Sequence, residues 1–167
     1  QERITSDDFS FTATTIKSDT SDFYLKSTST GGYAFIAENA AVNVNFALQS
    51  TSFHLNTANS IVKFPEIQYI STINDFEYDM QDKILKMQQR ALTDRALISP
   101  DRLLRTDLNN IEKPNFFATN TIGDTITFAS RKGTYNVTEE YIEAEDINYI
   151  RIADALIQPE KGKITIG

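Results

Sequence analysis

The sequence contains no cysteine, no tryptophan and a single histidine, His54. The lack of cysteine excludes disulfides, thiolate metal ligands and cysteine nucleophiles within this sequence. A serine triad needs a histidine held between the nucleophile and an acid. His54 instead stands between Phe53 and Leu55, on the polar phase of an alternating segment. We therefore predict a surface or cross-strand histidine, no catalytic, cofactor-binding or metal-binding residues, and no cofactor.

Long apolar runs and glycine-rich motifs are also missing. No stretch reaches the 18 or so apolar residues that cross a bilayer as a helix, and Gly31-Gly32 is too isolated for a phosphate-binding loop. The sequence shows no signal peptide and begins at Gln1 rather than Met. We expect a processed or excised part of a larger extracytoplasmic protein, in the periplasm or associated with an outer membrane.

The composition is that of a folded, acidic protein. The 167 residues are 40% hydrophobic and 23% charged, close to the average of globular domains. The net charge is −7 and the isoelectric point is about 4.7. An acidic surface repels the phosphates of nucleic acids, so we predict no nucleic-acid partner.

Alternation of apolar and polar residues with a period of two dominates the sequence. Such alternation places apolar side chains on one face of a β-strand, as in antiparallel sheets that are buried on one side. The alternating pairs and triplets, with turn residues between them, are Phe9/Phe11/Ala13, Phe23/Leu25, Tyr33/Phe35/Ala37, Val42/Val44/Phe46/Leu48, Phe53/Leu55, Val62/Phe64, Phe76/Tyr78/Met80, Leu85/Met87, Ile126/Phe128, Tyr135/Val137, Ile142/Ala144 and Ile164/Ile166. We predict an all-β protein of short antiparallel strand units that form a jellyroll-like or solenoid-like sheet.

Residues 90–113 break the alternation, and the local charge balance turns basic. Ser99-Pro100-Asp101 has the residues of a helix start, with an N-cap serine, proline at the first helical position and an acid in the first turn. We predict a short helix near 100–106 within a basic connector over 90–113. The connector divides an N-terminal β unit, 1–89, from a C-terminal unit, 114–167, although one continuous domain is an alternative.

Three segments align without gaps: Leu55–Phe64, Tyr78–Met87 and Tyr135–Ala144. Each has an apolar residue, Asn or Asp, a polar turn, and then two apolar residues, a charged residue and another apolar residue. The first and third extend to Leu55–Ile70 and Tyr135–Ile150. We interpret the pattern as an internal repeat whose units stack to bury a common core. The alternative is that unrelated hairpins with similar turns use similar residues.

The residues Phe35-Ile36-Ala37 through Val44, and Thr127-Phe128-Ala129 through Ala144, resemble repeats of the lipopolysaccharide-transport (OstA/LptA-type) β-jellyroll and of AsmA/TamB-type envelope proteins. The segment 149–166 is also similar to parts of large Bacteroidetes-type envelope proteins. This resemblance implies a folded sheet, open along one side, with an apolar interior that shields acyl chains or stacks against further modules. The basic segment over 90–113 departs from the pattern.

The implied groove would be lined by five phenylalanines, for which ordinary core packing is the alternative: Phe35, Phe46, Phe64, Phe76 and Phe128. On this basis we predict a non-enzymatic structural or lipid-shielding module of a cell-envelope protein. Its expected partners are adjacent modules of the same polypeptide or other envelope proteins, together with lipid acyl chains. An extracellular adhesion or ligand-binding β-sandwich module is the main alternative.

An enzyme is the third hypothesis, because carboxylates cluster in two places. Two carboxyl groups about 5–10 Å apart across a cleft could hydrolyse glycosides, and oxygen ligands from flexible loops could bind calcium. The clusters match no calcium-loop pattern, so solvated strand faces are the alternative interpretation. The residues are Asp75, Glu77, Asp79 and Asp82, and then Glu139, Glu140, Glu143, Glu145 and Asp146.

Overall fold

The structure is a computed structural model, which describes residues 3–57, 60–90, 113–119 and 125–167. Within these residues the protein is all-β, as predicted, with one 3-10 turn at Glu160–Gly162 and no α-helix. The helix predicted near 100–106, and almost all of the predicted connector, lie outside the described residues.

The strands of the N-terminal half are β1 (Arg3–Thr5), β2 (Ser10–Phe11), β3 (Thr15–Lys26), β4 (Tyr33–Asn45), β5 (Ser50–Leu55), β6 (Val62–Phe64), β7 (Tyr69–Ser71), β8 (Asp75–Asp79) and β9 (Ile84–Gln88). The remaining strands are β10 (Phe116–Ala118), β11 (Ile126–Phe128), β12 (Lys132–Asn136), β13 (Tyr141–Glu145), β14 (Ile150–Ile152), β15 (Ala155–Ile157) and β16 (Ile164–Ile166).

All sixteen strands belong to one antiparallel sheet that does not close on itself. The sheet divides at β4, which pairs with β3 on one side and with two different strands on the other. The first half of β4 pairs with β6 through Ile36 and Ala37, and its second half pairs with β5 from Ala40 to Asn45. Two arms therefore leave β4, and we count each half of the rows β1–β2, β3 and β4 with the arm on its side of the corner. The first arm runs β6-β7-β10-β11-β14-β15, and the second arm runs β5-β8-β9-β12-β13-β16.

The chain passes repeatedly between the two arms, and we call each passage a row. The sheet is a meander of nine bent rows. Successive rows run in opposite directions, and the rows bend at a corner between the arms, although residues 91–112 of the row β9–β10 lie outside the described residues. In chain order the rows are β1–β2, β3, β4, β5–β6, β7–β8, β9–β10, β11–β12, β13–β14 and β15–β16. Both the first and the last row run from the first arm to the second.

The two arms face each other across one core. Inward-facing positions alternate with exposed ones, as the period of two predicts; β8 and β9, for example, bury every second residue. The buried aromatic rings of the two arms touch, with Phe64 of β6 lying 5.2 Å from Tyr135 of β12 between ring centroids. Strands from both sides of the predicted connector take part: β9 pairs with β12, and β7 pairs with β10. The segments 1–89 and 114–167 therefore share one sheet and one core.

Four-residue turns join several rows at the outer ends of the arms. Each turn ends on a residue in the left-handed region: Gln49, Gln68, Lys83 and Glu140, with φ between 50° and 59°. In three of them an Asn or Asp side chain caps the turn, and in the first of these the Leu48 N–H donates to Asn45 Oδ1. Asp79 Oδ1 accepts hydrogen bonds from two following backbone N–H groups, and Asn136 Oδ1 does the same.

Two of the three aligned segments form the same kind of hairpin, and the third does not. Tyr78–Met87 and Tyr135–Ala144 are hairpins with the same register, in which Tyr78 pairs with Leu85 and Tyr135 pairs with Ile142. Leu55–Phe64 differs, because it leaves β5 in the second arm and enters β6 in the first. The longer correspondence is therefore wrong: Leu55–Ile70 ends in a first-arm hairpin, whereas Tyr135–Ile150 begins with a second-arm hairpin. A shared turn requirement accounts for the two segments that do match.

Candidate functional site

The five predicted groove phenylalanines do not lie together on an open surface. Phe35, Phe64, Phe76 and Phe128 are buried in the core, each 4% exposed or less, as ordinary core packing predicts. Phe46 is 53% exposed and lies in the turn between β4 and β5. The prediction that Phe46 lines the interior is therefore wrong, because the alternation that places Val42 and Val44 inward ends with β4 at Asn45.

Phe35 is the centre of the interior. Its ring lies 5.2 Å from Phe64 of the first arm, and 5.6 Å and 5.5 Å from Phe53 and Phe76 of the second arm. Phe53 and Phe76 are stacked at 4.7 Å with nearly parallel planes. Such offset contacts between aromatic rings stabilise a core beyond the area that they bury. These rings fill the space between the arms at this level of the sheet.

A second aromatic cluster lies within the first arm. Phe116 of β10 and Phe128 of β11 are cross-strand partners, and their rings stack at 4.8 Å. The Tyr69 ring lies 6.3 Å from Phe128. Tyr69 is half-buried, and burial raises the pKa of its hydroxyl. The interior is thus apolar over several rows and belongs to both arms.

A line of asparagine and serine side chains, the corner seam, holds successive rows together where they cross between the arms. We define the corner seam as Asn39, Asn56, Asn74, Asn115 and Ser130. Asn115 donates from Nδ2 to the Ser130 carbonyl at 2.7 Å and accepts from the Ser130 N–H at 2.9 Å. Asn74 makes the corresponding pair of bonds with the backbone of Arg90, the longer at 3.4 Å. These amides replace ladder hydrogen bonds where the strands bend.

The second, third and fourth rows continue the corner seam. The Asn56 side chain donates to the Asp19 carbonyl and to Asn39 Oδ1, and the Asn39 N–H donates to Asp22 Oδ1. Backbone hydrogen bonds also cross between rows at the corner, as from the Leu55 N–H to the Asn74 carbonyl at 2.9 Å. The corner is therefore bonded from row to row by both backbone and side chains.

The opposite long side of the molecule, where the outer ends of the two arms approach each other, is here called the mouth. The turn between β3 and β4, residues 27–32, belongs to the first arm and reaches across to the second. The hydroxyls of Ser27 and Ser29 both donate to Glu140 Oε1 at 2.6 Å. Thr30 donates to Glu66, which lies in the first arm. The mouth is held by side-chain bonds to these two carboxylates.

Tyr135 lies under these bonds with its ring buried and its hydroxyl without a hydrogen-bond partner among the described residues. Burial, and then the nearby charges of Glu140 and Glu66, raise the pKa of the hydroxyl well above its usual range. The hydroxyls of Ser27 and Ser29 lower the pKa of Glu140 by stabilising its carboxylate. Glu140 is therefore ionised at neutral pH, and Tyr135 is neutral.

Members of both acidic clusters bind neighbouring side chains, and both clusters lie on the second arm. Glu145 forms ion pairs with Lys132 and Lys163, which lower the pKa of its carboxyl group. Asp75 lies 3.1 Å from Arg90 and 3.6 Å from Nδ1 of its cross-strand partner His54. No three of the acidic or histidine side chains that the structure describes are grouped to hold a metal ion.

A surface cavity of about 460 Å³ lies at the corner near the last row. Its lining is polar and includes Arg131, Asp146, Asn148 and Lys161. At this end of the sheet the outermost strands are β15 in the first arm and β16 in the second. Leu156 and Ile157 of β15 are 39% and 47% exposed. The final row thus presents a backbone edge with apolar side chains beside it.

The protein has no match among known family models, curated proteins or solved structures at a significant level. In the described part of the chain, none of the helical segments has the length and apolar character needed to span a membrane.

The corner seam and the mouth were both missed by sequence reasoning, which followed the apolar phase of the strands. A signal for the corner seam was present, because Asn74 and Ser130 stand where one alternating run ends and the next begins in a new phase. The hydroxyl-rich run Ser27-Thr28-Ser29-Thr30 was a second signal. Neither signal identifies the hydrogen-bond partner. For the serine hydroxyls that partner is Glu140, which is more than 100 residues away along the chain.

Proposed function

We propose that this chain is a non-enzymatic structural module of a larger extracytoplasmic protein, in which a bent sheet with an apolar interior is extended by strands of adjacent modules. Among the described residues, β15 and β16 pair with a strand on one side only, and this backbone edge is the observation that carries the proposal. Unpaired N–H and C=O groups at a sheet edge are a template for a further strand. The exposed side chains of Leu156 and Ile157 beside that edge would be covered by it.

The direction of the rows defines the partner. Rows alternate in direction, and the last one runs from the first arm to the second. An antiparallel neighbour must therefore run from the second arm to the first, crossing at the corner as the other rows do. A bent strand pair from an adjacent module, whether from the same polypeptide or from another envelope protein, meets this requirement.

Strand addition is tested by placing a charge beside the edge. We expect the protein to associate with rising concentration in sedimentation experiments, and Ile157→Lys to raise the dissociation constant at least about tenfold, since inward or edge charges oppose strand pairing. Leu48→Lys is the matched control, because Leu48 is also exposed but lies in a turn far from β15. A protein that stays monomeric at all concentrations, with rapid hydrogen exchange at residues 155–157 and 164–166, would contradict strand addition.

We propose, as the finer form of this function, that the module is jellyroll-like and shields lipid acyl chains within its interior. The apolar side chains of both arms and the resemblance to lipopolysaccharide-transport repeats support this role. The rings of Phe35, Phe53 and Phe76 occupy the space between the arms. Shielding an acyl chain therefore requires the arms to separate at the mouth, since backbone and side-chain hydrogen bonds join the rows at the corner.

Native mass spectrometry of the gently purified protein, followed by organic extraction and lipid analysis, tests the shielding role. A bound acyl lipid that is lost after Phe64→Trp, which enlarges a ring facing both arms and keeps the core apolar, would support it. Phe46→Trp in the exposed turn is the control and should keep the lipid. A mass free of lipid, with no uptake of added lipid, would favour the adhesion or purely structural alternative.

A further inference from the structure

Side chains at the mouth form hydrogen bonds that join the two arms above the apolar interior. Glu140 occupies the left-handed position that ends its turn, with φ 56°. The turn is capped by Asn136, and the Glu140 N–H donates to the Asn136 carbonyl at 2.8 Å. The backbone thus fixes the place of the carboxylate, which accepts the two serine hydroxyls from the opposite arm.

We propose that residues 27–32 are a latch: their hydrogen bonds to Glu140 hold the arms together at the mouth, and their release admits a neutral, single-chain amphiphile. This inference rests on the shielding role proposed above. The latch spans the arms, because Ser27 and Ser29 belong to the first arm and Glu140 to the second. Thr30 and Glu66 anchor the latch within the first arm.

The latch can open without damage to the sheet. The β3–β4 ladder that carries residues 27–32 and the β12–β13 ladder that carries Glu140 are each complete without it. Opening breaks two charge-assisted hydrogen bonds and ring contacts between the arms, such as that of Phe64 with Tyr135. The corner on the far side acts as the hinge, because rows such as β3, β4 and β7–β8 cross there within the described residues.

The chemistry of the ligand follows from the groups beneath the latch. The Tyr135 hydroxyl is a buried donor with no partner among the described residues, and such a group gains a hydrogen bond from any acceptor placed beside it. The carboxylates of Glu66 and Glu140 accept the hydroxyls of the latch at the mouth, and after burial their charges raise the pKa of the Tyr135 hydroxyl. They repel an anionic head group, so a neutral acceptor such as the ester carbonyl of a monoacylglycerol is favoured over a fatty-acid carboxylate.

Distances between spin labels test the latch directly, and the lack of native cysteine allows labels to be placed at will. Thr28→Cys and Thr138→Cys put one exposed label on the latch and one on the turn that carries Glu140. We expect one narrow distance distribution in this labelled protein. Ser27→Ala with Ser29→Ala, or Glu140→Ala, should add a longer, broader population. Glu143→Ala, which removes an exposed carboxylate of the next strand, is the matched control and should change nothing.

A distribution that is the same in the latch variants and in the parent protein would overturn the latch, whatever the protein binds. The ligand is tested separately with monoolein and with oleate, by native mass spectrometry and stopped-flow tyrosine fluorescence. We expect monoolein to bind at least about tenfold more tightly than oleate and to enter the latch variants faster than the parent. Entry at equal rates overturns the latch. A mouth that opens in the variants while monoolein stays unbound overturns the ligand and, with it, the shielding role.

Discussion

The two long sides of this molecule are joined by different means. At the corner the chain passes from one arm to the other in rows such as β3, β4 and β7–β8, and the corner seam adds paired amide–backbone hydrogen bonds such as those between Asn115 and Ser130. At the mouth the arms are joined by the ring contact of Phe64 with Tyr135 and by hydroxyl groups on Glu140. One side is covalent and buried, whereas the other is held by side chains near the surface.

This difference indicates how the sheet can move. Breaking the corner would require several rows to lose backbone hydrogen bonds together, and these bonds lie beside buried polar groups such as Ser71 and Asn74. Opening the mouth leaves all strand pairs intact. Motions of lowest cost should therefore separate the arms at the mouth, as local openings generally occur where few buried contacts are lost. The predictions below test each side and the core between them.

The largest effect should follow from truncating the side chain that both arms share. Phe35→Ala removes contacts with Phe64 on one arm and with Phe53 and Phe76 on the other, and we expect it to lower the free energy of unfolding by about 3–5 kcal/mol. Phe46→Ala, in an exposed turn, should change it by less than about 0.5 kcal/mol. Urea unfolding measures both. Equal effects would show that the arms do not share this core.

The corner should be the more sensitive of the two sides. Asn115→Ala leaves the Ser130 N–H and C=O without their side-chain partners in a part-buried place, at a cost of about 2–3 kcal/mol. The exposed Asn148, at the corner of a later row, is the matched control, and Asn148→Ala should be close to neutral. Thermal and urea unfolding provide the comparison. A neutral Asn115→Ala would mean that backbone bonds alone hold the corner.

The fold class was predictable because apolar and polar residues alternate with a period of two in nearly every strand. Residues such as Phe76, Tyr78, Leu85 and Met87 are predicted to face inward and do so. The turn role of Asn136 was also predictable, since an Asn side chain that caps its own turn acts through neighbours in sequence. Interactions between sequence neighbours can be predicted from a short segment of the sequence.

The bend of the rows was not predictable in the same way. Leu55–Phe64 and Tyr78–Met87 have the same residue pattern, yet one crosses the corner and the other is a hairpin. The choice depends on which strands pair across the sheet, and that pairing is non-local. Phe46 shows the same limit on a smaller scale, because an apolar residue at the next alternate position was assigned inward although the strand had ended.

A smaller effect, of opposite sign, should come from the hydroxyl beneath the mouth. Tyr135→Phe removes a buried donor that has no partner among the described residues, so we expect the free energy of unfolding to rise by about 1 kcal/mol. Tyr78 takes the same place in the β8–β9 hairpin, with the Lys83 ammonium 5.9 Å from its ring. Tyr78→Phe is the matched control and should bring no gain. A loss of stability in Tyr135→Phe would place a hydrogen-bond partner at its hydroxyl.

The smallest effect should be the pH dependence of the mouth. The Ser27 and Ser29 hydroxyls lower the pKa of Glu140 in the folded protein below its ordinary value of 4.5. Because the folded-state pKa is the lower one, the stabilisation is complete above the unfolded-state value and is lost as the pH falls through the folded-state value. Glu140→Gln resembles the protonated side chain at every pH. We therefore expect the parent to be more stable than Glu140→Gln at pH 7, and the difference to disappear below the folded-state pKa. Urea unfolding from pH 7 to pH 3 measures this difference, and comparison with the variant cancels the titration of Glu145, whose pKa is also lowered. A difference that stays constant over this range would show that Glu140 stabilises the mouth by packing rather than by its charge.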